Sequence, residues 1–572
     1  MTPTLHALMA LALSGAAAAA GVPGVPDPRL ATLDAMRSEV DRSMHRLRIA
    51  GYEPPYFLAY QVKETQAVEV AGRYGALFSD ASRRDRKLYV DVRVGSYEFD
   101  SSGRDEMSFL LGQEGQTWFA PKDGPLDDDP AALRNALWLL TDERYKEALS
   151  SYFKRKSKGV YRSDDPERAP SFSREAPQRH VDPPVAFRFD ADRWRREVRQ
   201  VTLLFRDHPD VFDSSMRVSA EKHVRWFTSS EGTSLLTEQP IYGVHVTAAA
   251  RAVDGQLLEN SRDWYGRSEA ELPGPERIRS EVRALVSELE ALRTAPVIDP
   301  YSGPAILAPE ATGVLFHEAV GHRLEGDRQD DDKEGQTFKG QVGKAVLPSF
   351  LTVLDDPTLS SEGGVSLNGT YRYDEQGVPA QRAVLVKDGR LESYLLSRRP
   401  VKPFQHSNGH GRSQGVHAPV ARMANLVVRS SRQVTPAELK RMLLDEARRQ
   451  GKPYAIVIRD IAGGNTNTQS FGYQAFKGTP RLVYRVDVRT GKEELVRGVE
   501  LVGTPLTSIN KVVATDGEER VFNGYCGAES GFVPVSTVAP AALISEIELQ
   551  RVARAKERSP ILPAPWSEGA RP

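Results

Sequence analysis

Val314-Leu315-Phe316-His317-Glu318-Ala319-Val320-Gly321-His322 sets a His-Glu pair behind an apolar run and places a second histidine five residues after the first. Two imidazoles and an adjacent carboxylate on a helix are the parts of zinc-peptidase chemistry. Neutral imidazoles bind the metal, and the carboxylate takes a proton from water. In the common form the histidines stand four apart, about 40° around a helix of about 3.6 residues per turn. The spacing of five puts them about 140° apart, and two such side chains cannot meet one ion on a regular helix. Gly321 tolerates a distorted backbone, and a one-residue π-bulge would return His322 to the face of His317. The segment therefore predicts a helix that is regular to about Val320 and then bulges, bends or ends near Gly321. The alternative is a surface helix with two unrelated histidines among the chain's 11.

Catalytic zinc usually takes three protein ligands and leaves one position open. Candidates for the third are Glu325, Asp327, His406, His410, His417 and Cys526. Cys526 is the only cysteine, so an intrachain disulfide and a cysteine-only metal site are both excluded. Glycines at 524 and 527 suit a close approach of backbone to a ligand, although a lone cysteine also serves as a small buried hydrophobe. Asp330-Asp331-Asp332 reads as a solvated loop. No Gly-x-Ser-x-Gly elbow supports serine chemistry, and Gly463-Gly464-Asn465 is too short to argue for phosphate binding.

Outward from this segment the chain divides. Before it, Leu30, Leu33, Met36, Val40, Met44 and Leu47 mark a helix that ends at Gly51. Strand patterns follow at Tyr56–Val62, Ala67–Ala71 and Leu88–Val94, then a helix over Ala131–Tyr152. Residues 155–185, charged and poor in aliphatics, read as a loop or insertion outside the core. Ser219–Phe227 and Ile241–Val253 are strands, and Pro275 opens a helix with Ile278, Val282, Leu285, Leu289 and Leu292 on one stripe. Ala295–Pro304, with three prolines and a glycine, reads as a domain boundary. After it, Asp388-Gly389 and Thr490-Gly491 sit between strand patterns as hairpin turns, and Pro436–Gly451 reads as a helix. The expected class is α+β in two domains: a mixed α/β unit over 22–298, and a strand-rich unit over 299–572 that carries the histidine helix.

Composition is that of a globular chain of 572 residues. Lys and Arg total 76 against 77 Asp and Glu, a balance that argues against a nucleic-acid binder. No apolar run after residue 21 reaches the ~18 residues of a membrane span. Residues 1–21 contain no charged side chain, with an apolar core at Leu5–Leu13 and small residues at Ala16–Ala20. They read as an export signal, although no Lys or Arg precedes the core. The expectation is a periplasmic or secreted protein, with a cytoplasmic chain as the alternative.

Gly313–Gly326, GVLFHEAVGHRLEG, resembles the signature of the TldD/PmbA family of metallopeptidases, in its TldD-like, metal-bearing form. Ser230-Glu231-Gly232-Thr233, Gly411-Arg412, the run His417 to Asn425, Cys526-Gly527 and Val533-Pro534-Val535 are similar to further family stretches. The resemblance implies zinc held by His317, His322 and Cys526, with Glu318 as general base. It sets the central loop near the substrate path, which makes His410, Arg412, His417, Arg422 and Asn425 candidate substrate contacts. It further implies a peptide or unfolded-protein substrate and a homodimer, or a heterodimer with a family member. The family also contains metal-free partners, so a non-catalytic, peptide-binding subunit is the alternative. The signal-like start departs from the family, whose familiar members are cytoplasmic.

Overall fold

The computed structural model describes residues 27–102, 122–159, 169–331, 334–469, 476–503, 505–552, 557–558 and 560–565. The expected leader, residues 1–21, lies outside the described residues.

The first half is built on one sheet of long strands. Its order is Ala76–Val94, Pro55–Arg73, Val211–Ser229 and Ser234–Arg251, with Arg179–Val181 and Leu257–Gly266 both paired to the last. Side chains alternate between the faces of a strand, and the even-numbered ones carry the apolar pattern. Leu58, Tyr60 and Val62 lie opposite Val92, Val90 and Leu88. Helices Arg29–Arg46 and Pro130–Gly159 cover this end of the face. Farther along the same face, Met216, Val218 and Ala220 lie opposite Val246, Val244 and Tyr242, under helices Ala191–Leu203 and Pro275–Thr294. Each buried Val or Leu contributes roughly 1.5–3 kcal/mol relative to exposure, so a single face anchors four helices.

The opposite face meets the second half through bonds to backbone. Gln61 donates to Glu375 O (3.2 Å), Lys63 to Ser413 O (2.9 Å), and Arg225 to Asp374 O (2.8 Å) and Tyr373 O (2.7 Å). Arg481 reaches back to Ser261, and Leu482 joins the first half's core.

One sequence expectation is corrected here, and two elements are added. Residues 155–185 are not wholly outside the core: the preceding helix runs on to Gly159, and Phe172 is buried against Phe57 and Tyr97. The many surrounding charges hid this packing. The proline-rich stretch 295–304 runs into a strand, Tyr301–Leu307. Pro304 fits because the ladder to Ala542–Arg551 is irregular between Ile544 and Ile547, opposite it. Helix Ala191–Leu203, which the sequence reading passed over, buries Trp194, Val198 and Val201 and is capped by Asp190, which accepts from Arg193 N (2.9 Å).

In the second half, Tyr301–Leu307 pairs with both Tyr454–Thr466 and Ala542–Arg551. Through Phe476–Asp487 and Val499–Gly503 these strands close into a ring. A second sheet has the order Arg390–Leu391, Ala383–Lys387, Leu351–Asp355, Asn425–Ser430, Gly531–Ala539 and Arg520–Ala528. Asp388 and Gly389 both take positive φ (46° and 76°), as the expected tight hairpin turn needs. Helix Pro309–Ala319 lies between ring and sheet, with every residue buried except Glu310. The α+β class holds, with strand dominating the second half.

Candidate metal centre

Helix Pro309–Ala319 stops where the histidine spacing requires. Val320 N still donates to Phe316 O (3.0 Å), and a 3₁₀ turn, Gly321–Leu324, follows. The chain ends its helix rather than inserting a π-bulge. Gly321 is needed for room, since an added methyl would collide with the Met423 sulfur. The break brings the His317 and His322 rings to 5.0 Å between centroids, edge to face.

Cys526 reaches the same point from strand Arg520–Ala528, paired with Val533 on the neighbouring strand. Its Sγ lies 3.2 Å from His317 Nε2 and 3.4 Å from His322 Nε2. All three side chains are buried, and their donor atoms lie within 4.8 Å of one another. A tetrahedral zinc, with Zn–N about 2.0–2.1 Å and Zn–S about 2.3 Å, sets N and S about 3.5 Å apart. The donor set therefore fits such an ion in both type and spacing.

The electrostatics favour a thiolate at Cys526 and a proton on His322, which metal binding must displace. Burial opposes ionisation of Cys526, but the His322 and His317 imidazoles outweigh it and hold the thiol well below its ordinary range. Burial likewise opposes protonation of His322, and Cys526 and Glu325 overcome it, holding the imidazole well above its ordinary value. His322 Nδ1 faces Glu325 Oε1 at 3.1 Å. Glu325 resists its own burial through His322 and Arg328, which pull its carboxyl down to about 2.

Glu318 Oε2 lies 3.9 Å from His322 Nε2. With His317 it lines a cavity of about 1060 Å³ that Val314, Gly463, Gly464 and Tyr525 also border. Gly464 belongs to an irregular stretch of strand, between Ile461 and Gly464, and an added methyl there would come within 2.8 Å of Glu318 Cγ. Gly464, one of a pair that the sequence left without a role, gives the backbone its close approach to the Glu318 side chain.

The other expected site residues lie elsewhere. None of His410, Arg412, His417, Arg422 and Asn425 borders the cavity. His410 is buried between Asn408 and Asp355. Arg412 donates to Met423 O and lies over the Tyr371 ring. Asn425 donates to Asp356 O and Leu359 O. These are bonds of a buried scaffold, and His417 is exposed beside Gly531. Arg422 donates to Cys526 O (2.7 Å) and so supports the strand of the cysteine. Among the alternative third ligands, Asp327 accepts from Ser397 and Ala421 N, and exposed His406 faces Glu175. Asp355, which accepts from Ala424 N and Asn425 N, and Arg328 carried no sequence signal.

Comparison with known proteins places this arrangement. A family model described as the PmbA/TldA metallopeptidase C-terminal domain matches residues 300–551. A metalloprotease of Archaeoglobus fulgidus is 32% identical over 340 residues, 58% of this chain and 72% of that protein. A Haemophilus influenzae protein named as a TldD homologue among metalloproteases is 30% identical over 282 residues, 48% of this chain and 54% of its own length. The crystal structure of TldE from Thermococcus kodakarensis shares the fold, with a TM-score of 0.59 at 12% identity over 90% of this chain and 100% of that one. Fold and relatives together define a metallopeptidase. The chain belongs to the PmbA/TldD family.

Proposed function

We propose that the chain hydrolyses small or unfolded peptides as a zinc peptidase, with His317, His322 and Cys526 as ligands and Glu318 as general base. The observation that carries this reading is the position of Glu318, beside the donor cluster and on the wall of the cavity. When bound, zinc supplies Lewis acidity, acidifying water and polarising a carbonyl. Glu318 accepts the proton of the water that adds to the scissile carbonyl carbon. It passes that proton to the departing amine nitrogen as the C–N bond breaks. The cluster is buried and reached from the cavity, which favours an extended chain over a folded protein. A homodimer, or a heterodimer with a family member, and export directed by residues 1–21 belong to the same proposal.

The test pairs metal analysis of the purified chain with a peptide-cleavage assay, on wild type and Cys526→Ala. Wild type is expected to hold one zinc and to cleave. Cys526→Ala is expected to lose both, because no other cysteine can substitute. Full zinc in Cys526→Ala would move the third ligand elsewhere. N-terminal sequencing from the native host tests export, and an intact Met1 or Thr2 in the cytoplasm would end that part.

A further inference from the structure

We infer that Glu325 and Arg422 are positioning residues that hold the two sides of the metal site in register, a role that rests on the ligand set proposed above. His322 has left the helix and stands in a 3₁₀ turn, so the regular backbone no longer fixes its ring. The Glu325 carboxylate, 3.1 Å from Nδ1, does so instead. A hydrogen on Nδ1, donated to Glu325, leaves the Nε2 lone pair directed at the point where Cys526 Sγ lies 3.4 Å away. Glu325 cannot swing, because its other oxygen accepts from Arg328 Nε at 2.6 Å. Arg328 is fixed in turn by Glu334 (2.8 Å) and Glu529 (3.2 Å).

Arg422 joins this network to the far side of the cluster. Its Nε lies 3.6 Å from Glu325 Oε1. Its terminal nitrogens donate to Cys526 O (2.7 Å), Ser530 Oγ (2.9 Å) and Gly531 O (3.1 Å). One guanidinium thus spans the hairpin turn that follows Cys526 and faces the carboxylate that orients His322. The histidine and the cysteine are 204 positions apart in the chain, and this is where their supports meet. His317 has no carboxylate partner of this kind among the described residues. Both residues are fully buried, so the bland alternative is ordinary scaffolding of the fold.

Metal affinity separates the two. Zinc affinity of the full-length chain would be measured by competition with a chromophoric chelator, alongside the absorption spectrum of the cobalt-substituted protein and the Tm of the metal-free form. Glu325→Ala and Arg422→Gln are expected to bind zinc about 10–100-fold more weakly. Glu325→Gln, which keeps an acceptor for Nδ1, is expected to recover part of the loss. The double variant should lose less than the product of the single effects, because both act through one network. Cobalt bands should shift in Glu325→Ala and Arg422→Lys, a change that scaffolding alone would not produce. Zinc affinity within twofold of wild type in Glu325→Gln and Arg422→Lys, with unchanged cobalt spectra, would overturn the proposal. Those near-isosteric variants decide the matter if Glu325→Ala does not fold. Wild-type zinc binding in Cys526→Ala would instead overturn the ligand set, and the positioning role with it.

Discussion

His317 and His322 carry the same side chain and sit in opposite kinds of surroundings. Behind His322 lie Glu325, Arg328 and Arg422, each bonded to the next or to backbone. Beside His317 lie Glu318, the bare backbone of Gly464 and an open cavity. Linked hydrogen bonds and ion pairs resist rearrangement, whereas a wall lined by glycine leaves space. The difference teaches that one short segment separates two environments. The His322 side is held by bonded side chains, and the His317 side faces the cavity.

Breaking the open side should have the largest effect. Glu318→Gln is expected to lower turnover by ~10²-fold or more while zinc is retained, since it removes a positioned base and no donor. Turnover assays beside metal analysis check this, and wild-type cleavage with zinc bound would remove Glu318 from that role. Gly464→Ala should press on the same carboxylate. A misplacement of about 1 Å can cost up to ~10²-fold, so turnover should fall by about ten- to a hundredfold with zinc affinity unchanged. A parallel fall in affinity would show that the two sides are not separable.

Gly321→Ala probes the helix break from which both sides start. Overpacking against Met423 should cost about 1–3 kcal/mol of stability, read as a lower urea midpoint. An unchanged midpoint would mean that the break has slack.

The smallest effect lies away from both histidines and sharpens the comparison by leaving them alone. Desolvation where the halves meet, with Arg225 and Arg412 nearby, lowers Lys63 to about 8 against the pull of Glu375. Unfolded, a lysine keeps its proton to about 10.4. Between those values the unfolded chain binds more protons, so stability should rise with pH from about 8 to about 10. Lys63→Met should flatten that rise in urea midpoints while zinc affinity stays constant. An identical pH slope in the variant would assign the rise to other groups.

Much of this architecture was legible where one physical period dominates. The alternation Leu88, Val90, Val92, Val94 marked a half-buried strand, and the stripe from Ile278 to Leu292 marked a helix. The five-residue histidine spacing gave away the helix break before any fold was known. Cys526 stayed ambiguous on spacing alone, because nothing local says which loop returns to a helix 204 positions earlier. The surroundings of Arg412, Arg422, His410 and Asn425 were illegible for a related reason. Charged and polar residues in a loop suggest a ligand, yet each also bonds to buried carbonyls or to Asp355, which only the folded chain brings near. Leu257–Gly266, a polar edge strand, and Tyr301–Leu307, a strand holding a proline, lacked the alternation that would have marked them.

The distance between the histidine helix and Cys526 has a meaning during synthesis. At roughly 5–20 residues per second, a ribosome needs roughly 10–40 s to cross those 204 positions. The strand that closes the ring, Ala542–Arg551, comes later still. Throughout that interval the nascent chain carries Glu318 and both imidazoles without the thiol that completes the cluster. A truncated product that stops anywhere in this stretch inherits the same deficit. The order of residues along the chain thus delays assembly of the His317, His322 and Cys526 cluster, with its surrounding strands, until almost the last segment has been made.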